Sequence, residues 1–277
     1  MNKLQVPGQP GRISLTIAGR ALHGVTLFWF IVFFLGQLIF AGYIIMLYWK
    51  SALMGTFDKW NEATPNLYIR GQWARNALFG VHAVIAGWVS IAGPLQLVPW
   101  LRRVAPRCHR ISGRVYVVAG FLIALDGIYL AWRGGAVGSF QDHVIISLNA
   151  VIIMITAWFT IRHARARNLR AHQQWAVHLV LAMSGVWMFR VFLMFWLVVN
   201  QGPVGFDPGT FSGPFLDVLA VTVYVFPQVV VAWYFRVRRA DGPMSKWVFT
   251  VALTVITLAM LAGVVAATMG MWWPRLI

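Results

Sequence analysis

A chain of 277 residues has the length of one or two soluble domains, but its composition excludes a soluble protein. Hydrophobic residues make up 60% of the sequence and charged residues 11%, which is too few charges to cover a water-exposed surface. The formal net charge of +16 does not indicate a nucleic-acid partner, because the basic residues cluster in one set of loops, as membrane topology requires. The single cysteine, Cys108, excludes an intramolecular disulfide and any zinc or iron–sulfur site held by several cysteines.

Seven apolar runs are each long enough to cross a bilayer as a helix, which takes about 20 residues. They are residues 22–49, 75–100, 112–132, 143–161, 174–199, 216–235 and 247–272. The sequence therefore predicts an all-α integral membrane protein with seven transmembrane helices. We expect helices two to five to form a central four-helix bundle.

We expect a single membrane domain over residues 1–277. Its parts are an N-terminal cytoplasmic segment, an anchor helix with an external loop, the four-helix core, and an external loop with two further helices, at 1–21, 22–74, 75–200 and 201–277. The first helix follows a basic, Pro- and Gly-rich segment and resembles a signal peptide in the order of its parts. It is too long for one and shows no clear small-residue cleavage site, so we interpret it as a retained anchor helix.

The distribution of lysine and arginine predicts the orientation. In the seven-helix arrangement one side of the membrane receives 16 of the 23 basic residues and a single acid, Asp241. Those basic residues are Lys3, Arg12, Arg20, Arg102, Arg103, Arg107, Arg110, Arg114, Arg162, Arg165, Arg167, Arg170, Arg236, Arg238, Arg239 and Lys246. The positive-inside rule places this side in the cytoplasm, so we expect a cytoplasmic N-terminus and a periplasmic C-terminus in a bacterial inner membrane.

Two charged residues, Asp126 and Arg190, stand out deep inside the predicted spans, where charges are costly and usually functional. Asp126 lies on the third helix and Arg190 on the fifth, at similar depths in the outer half of the membrane. We expect either a buried Asp126–Arg190 pair or, alternatively, an Arg190 that snorkels outward beside a protonated Asp126. Arg190 at this depth is also suited to an anionic ligand group such as a haem propionate.

Helices two to five each carry at least one histidine. His82 and His143 lie near the outer ends of helices two and four, His109 and His172 near the inner ends of helices three and five, and His178 one to two turns deeper. Four-helix bundles commonly hold cofactors between facing helices, and the iron of a b-type haem can be bound by two neutral imidazoles. Two histidines on alternate helices at each of two levels are similar to the arrangement in transmembrane two-haem cytochromes b.

The sequence thus predicts haem b held by His82 with His143, and by His109 with either His172 or His178. Proton or metal handling by the same histidines is one alternative. A structural or interfacial role is another, and we expect that role for His23 and His163 in any case.

The helical phase supports His109 as a ligand. Gly113, Tyr116, Gly120 and Gly127 fall within about 40° of the line that starts at His109, at 100° per residue. Glycines on this face would let a flat macrocycle or a neighbouring helix approach closely.

Three stretches carry a resemblance: HAVIAGWVSIAGPLQL (82–97), LRRVAPRCHRISGRVY (101–116) and AHQQWAVHLVLAMSGVWMFR (171–190). They resemble an uncharacterised family of bacterial membrane proteins whose pattern contains GPxQ, HRxxGRxY and a later HRxWMxR. The resemblance implies that His82, Gln96, His109, Gly113, Arg114, Tyr116, His172, Trp175 and Arg190 are the positions of interest. This chain departs from the pattern because Gln173 follows His172 and His178 replaces an arginine. The pattern has no histidine at 143, which weakens the outer pair relative to the inner one.

Three functions remain open. The first is a membrane electron carrier with haem b that exchanges electrons with quinone or a partner subunit. The second is a non-catalytic docking subunit of a larger respiratory or photosynthetic complex. The third is a proton-coupled transporter that uses Asp126, Arg190 and His82, ranked last because no inverted repeat or broken helix is evident. Nucleotide-binding and hydrolase motifs are missing from the sequence, so any enzymatic chemistry would belong to a bound cofactor.

Overall fold

The computed structural model describes the backbone of residues 10–64, 66–133 and 140–277. Part of the predicted segment 1–21, including Lys3, lies outside the described residues. The α-helices in these ranges are α1 (Pro10–Ile44), α2 (Lys50–Leu53), α3 (Trp73–Leu97), α4 (Pro99–Val104), α5 (Pro106–Trp132), α6 (Phe140–Arg165), α7 (Leu169–Met183), α8 (Gly185–Asn200), α9 (Pro214–Arg239) and α10 (Pro243–Ala267).

The fold is an all-α membrane architecture, as expected. Within the described residues six helical stretches are long and apolar enough to cross a membrane, and the bent pair α7–α8 makes a seventh if it counts as one span. Proline stands at the start of α4, α5, α9 and α10, where its missing N–H costs no helical hydrogen bond. The third helix therefore begins at Pro106 and not near residue 112, so His109 lies within its first turns.

The helices that carry the predicted histidines form a closed ring. α3 contacts α5, α5 contacts α6, α6 contacts α7, and α7 contacts α3. In this ring α3 stands diagonally opposite α6, and α5 stands diagonally opposite α7. The predicted central four-helix bundle is confirmed, with α7 alone as its fourth member.

The fifth predicted span is broken, against the expectation of a continuous helix over 174–199. The axes of α7 and α8 differ by 58°, with Ser184 at the junction. The hydroxyl of Ser184 donates to the carbonyl of Val180 at 2.8 Å, a local bond that bends helices. The bend carries α8 out of the ring and against α10, which in turn packs on α1.

Close helix contacts fix this second group of helices. Trp187 of α8 is 1% exposed, and its Nε1 donates to the carbonyl of Gly36 on α1 at 3.2 Å. A Cβ at Gly36 would lie 2.6 Å from Cζ2 of Trp187, so glycine is needed for the indole to reach the α1 backbone. Small residues at helix crossings serve the same purpose throughout membrane proteins.

Candidate functional site

A short polar contact inside the spans joins α3 to α5. Nδ1 of His82 lies 2.7 Å from Oδ2 of Asp126, and the two side chains are 25% and 14% exposed. The other carboxylate oxygen of Asp126 is buried and has no hydrogen-bond partner among the described residues. The carboxylate fixes the imidazole so that, in its neutral form, Nε2 carries the free lone pair.

The predicted Asp126–Arg190 pair does not form. Asp126 is engaged by His82, and Arg190 has no ion pair within the described ranges. The Arg190 guanidinium instead lies 5.8 Å from the ring centroid of Phe40 and donates to the carbonyl of Val186 at 3.3 Å. The physical reason is the bend at Ser184, which places Arg190 on α8, outside the ring that holds Asp126.

The inner pair lies on opposite helices of the ring. His109 stands in the first turns of α5 and His172 in the first turn of α7. Nδ1 of His172 donates to the backbone carbonyl of Thr160 at 3.1 Å, since a carbonyl oxygen can only accept. Nδ1 of His109 is buried and has no hydrogen-bond partner in the described part of the chain.

His178 faces a different neighbour. Its Nδ1 lies 2.8 Å from Oε1 of Gln228 on α9, and its ring packs on Trp175 at 5.4 Å between centroids. The bonded partner of His178 thus lies on α9, outside the ring, whereas that of His172, Thr160, lies on α6 within the ring. The choice between His172 and His178 as the inner ligand stays a prediction.

The remaining histidines have aromatic or surface environments. The ring of His143 lies 5.1 Å from that of Trp132 on α5, at an interplanar angle of 44°. His163 stacks on Phe159 at 6.2 Å, and His23 is exposed on α1. His82 contacts Asp126. The expected His82–His143 pair stays a prediction.

The residues of the quoted motifs meet at the α3–α5 contact. A Cβ at Gly93 would lie 2.7 Å from the hydroxyl of Tyr116, which is 3% exposed. One turn away, Nε2 of Gln96 donates to the hydroxyl of Ser112 at 2.6 Å. The GPxQ and HRxxGRxY segments therefore lock α3 to α5 directly beside His109, and Tyr116 acts there as a packing residue.

Two glycines on the same face of α5 as His109 are contacted by side chains of neighbouring helices. A Cβ at Gly113 would lie 3.2 Å from Oε1 of Gln96, and one at Gly120 would lie 3.3 Å from Sδ of Met183. The predicted close approach is thus made by two flexible, unbranched side chains. A planar group bound along this face would have to displace both.

Several partners could not be found from the sequence. Thr160, Ser112 and Gln228 hold the predicted histidines or motif residues but carry no distinctive spacing of their own. Among the described residues, groups of three or more His, Cys, Asp or Glu side chains that could hold a metal ion are not found.

The comparisons with known proteins bear on this same region. Residues 79–206 match the family described as Predicted membrane protein (DUF2306). The match runs from α3 to the loop after α8 and includes six of the seven histidines, all except His23. It confirms the expected resemblance to an uncharacterised membrane-protein family. Searches of the curated proteins and of the solved structures find no match.

Proposed function

We propose that this chain is a membrane electron-transfer protein whose ring of α3, α5, α6 and α7 holds haem b between histidines. His109 and His172 are the proposed inner ligands, and His82 with His143 the proposed outer ones. Haem b, when bound, supplies one-electron oxidation and reduction. The expected redox partner, a quinone or a partner subunit, stays a prediction, as does the bacterial inner membrane as the location.

The observation that carries this proposal is how the imidazoles are held. Haem- and metal-ligating histidines almost always donate one ring N–H to a carboxylate or a carbonyl, which leaves the other nitrogen free as the ligand. His82 has this partner in Asp126 at 2.7 Å, and His172 has it in the carbonyl of Thr160 at 3.1 Å. Each contact fixes the tautomer and orients the ring.

The placement of the four helices also supports the proposal. Histidines on diagonally opposite helices can approach a group at the centre of a four-helix ring from both sides. His109 and His172 stand on such a diagonal, α5 against α7. The buried, unpartnered Nδ1 of His109 is costly, and a bound group beside it would remove that cost.

The donor set fits haem, whereas the space along Gly113 and Gly120 is filled by Gln96 and Met183. Binding therefore requires the unbranched side chains of Gln96 and Met183 to rotate away, and the branched side chain of Ile153 beside Gly120 to shift. The neighbouring motif residues would then position α5, because the contact of Tyr116 with Gly93 sets the distance between α3 and α5.

The experiment is a set of dithionite-reduced minus oxidised visible spectra of the purified full-length protein. His109→Ala and His172→Ala should each remove the same part of the b-type absorption, because both belong to one site. His178→Ala should retain that part, and His163→Ala is the matched control on the neighbouring helix. Equal spectra for all four variants and the unsubstituted chain would contradict the proposed ligands.

The 58° bend at Ser184 favours a second candidate, proton-coupled transport. Discontinuous helices are a common feature of transporters, and the chain has one at the point where α7 leaves the ring. The His82–Asp126 pair would then carry the proton. In reconstituted vesicles with an internal pH dye, a proton flux that Asp126→Asn abolishes would favour transport. A flux that the substitution leaves unchanged would count against it.

A further inference from the structure

A large apolar cavity lies beside the histidine ring, on the outer side of α7. It is a cleft of about 850 Å³ between α9 and the helices α1, α7, α8 and α10, which we call the α9–α10 cleft. That volume is within the range of sites that bind small molecules. It exists because α9 touches α10 much less than α10 touches α1 and α8.

The walls of the cleft are almost entirely apolar. Phe192, Phe226, Phe249 and Met260 contribute to them from three helices, and Val255 and Phe226 are exposed at the cleft mouth. Along α10 the lining runs from Lys246 to Met260, about 21 Å at 1.5 Å per residue. One leaflet contributes about 15 Å of a hydrocarbon core of about 30 Å, so an acyl chain fits within this length.

One end of the cleft is basic. Arg238 near the end of α9, Lys246 in the first turns of α10 and His23 on α1 all line it, and no Asp or Glu is among the described residues that line the cleft. Within the described ranges neither Arg238 nor Lys246 has an ion-pair partner. Two basic side chains from different helices, neither in an ion pair with a described residue, therefore line the same end of the α9–α10 cleft.

We propose that the α9–α10 cleft binds an anionic phospholipid. Its phosphate contacts Arg238 and Lys246, and one acyl chain lies along the apolar wall of α10. The negative phosphate then meets the two basic side chains, and the apolar acyl chain meets the apolar wall. A zwitterionic lipid would instead bring an extra positive charge to the basic end. The proposal does not depend on haem binding in the ring.

The test is a titration of the full-length protein in detergent with phosphatidylglycerol or with phosphatidylcholine of the same acyl chains. Bound lipid is counted by native mass spectrometry. We expect phosphatidylglycerol to bind more tightly, by roughly fivefold for each basic side chain that contacts it. The double variant Arg238→Gln/Lys246→Gln should abolish this preference and leave phosphatidylcholine binding unchanged.

Two further variants separate site binding from general charge attraction. Arg165→Gln/Arg170→Gln removes the same charge from exposed positions around the α6–α7 turn, outside the cleft lining, and should keep the preference. Ala259→Trp narrows the cleft without changing charge and should weaken both lipids. Loss of the preference in the Arg165/Arg170 variant, or unchanged binding in Ala259→Trp, would overturn the proposal. So would an isoprenoid quinone that co-purifies in the cleft and is displaced by Ala259→Trp but not by the Arg238/Lys246 variant.

Discussion

Nδ1 of His82 lies 2.7 Å from Oδ2 of Asp126, across the contact between α3 and α5. This pair ties together two helices of the ring, and it gives Asp126 His82 as its partner in place of the expected Arg190. Because both residues are mostly shielded from solvent, the bond should contribute measurably to stability.

A double-mutant cycle tests that pairing. With His82→Ala and Asp126→Ala, we expect a coupling free energy of about 1.5–3 kcal/mol, the range for a hydrogen bond to a charged group. The measurement is thermal or denaturant unfolding of the purified protein in one detergent. The cycle of Asp126→Ala with Arg190→Ala serves as control and should show coupling of less than about 0.5 kcal/mol. A larger coupling free energy for Asp126 with Arg190 than for Asp126 with His82 would instead support the Asp126–Arg190 pair.

A second prediction concerns the motif contact between Gly93 and Tyr116. Gly93→Ala places a methyl group 2.7 Å from the tyrosine hydroxyl and should destabilise the protein by about 1–3 kcal/mol. In a Tyr116→Phe background the same substitution should cost less, because the oxygen that it meets is gone. Gly127→Ala is the matched control, since no atom of the described residues lies within 4 Å of its added Cβ. Equal losses at Gly93 and Gly127 would contradict a close contact.

The orientation can be tested with the single native cysteine. Cys108 is exposed near the start of α5, at the end of the bundle that carries the basic loops. If that end faces the cytoplasm, a membrane-impermeant maleimide should label Cys108 only after cells are permeabilised. Cys108→Ser controls for background labelling. Equal labelling of intact cells would reverse the predicted orientation.

The loop between α8 and α9 gives a pH prediction. The backbone N–H of Gly209 donates to Oδ1 of Asp207 at 2.7 Å, and this bond lowers the pKa of the Asp207 carboxyl below its ordinary value. A carboxyl whose pKa is lower in the folded loop stabilises the loop above its unfolded pKa, about 3.9, and that contribution is lost as pH falls through the folded pKa. Amide exchange at residues 207–212 should therefore keep its protection at pH 5 and lose part of it below about pH 4. Asp207→Asn should remove the pH dependence. Protection that stays constant to the lowest pH would exclude this role.

Hydropathy was sufficient to predict the helical fold, because apolar length and basic loops directly determine what crosses a membrane. The depths of the histidines in the membrane can also be predicted from the sequence, since the position of a residue along a span gives its depth. The partner of Asp126 could not be predicted, because depth alone does not say which helices are neighbours. The bend at Ser184 was missed for a local reason: a single serine hydroxyl bond leaves no signal in an apolar run. Without the bend, Arg190 would lie on a continuous fifth helix at a depth similar to that of Asp126.

The most direct test of the proposed electron carrier is the haem content of the purified, unsubstituted protein. Haem is extracted into alkaline pyridine and quantified against protein concentration, with the reduced minus oxidised spectrum taken from the same sample. We predict non-covalent b-type haem, at least one per chain for the His109–His172 site and two if the His82–His143 site is also filled. A pyridine extract without haem, from protein produced in cells that make haem, would contradict the account.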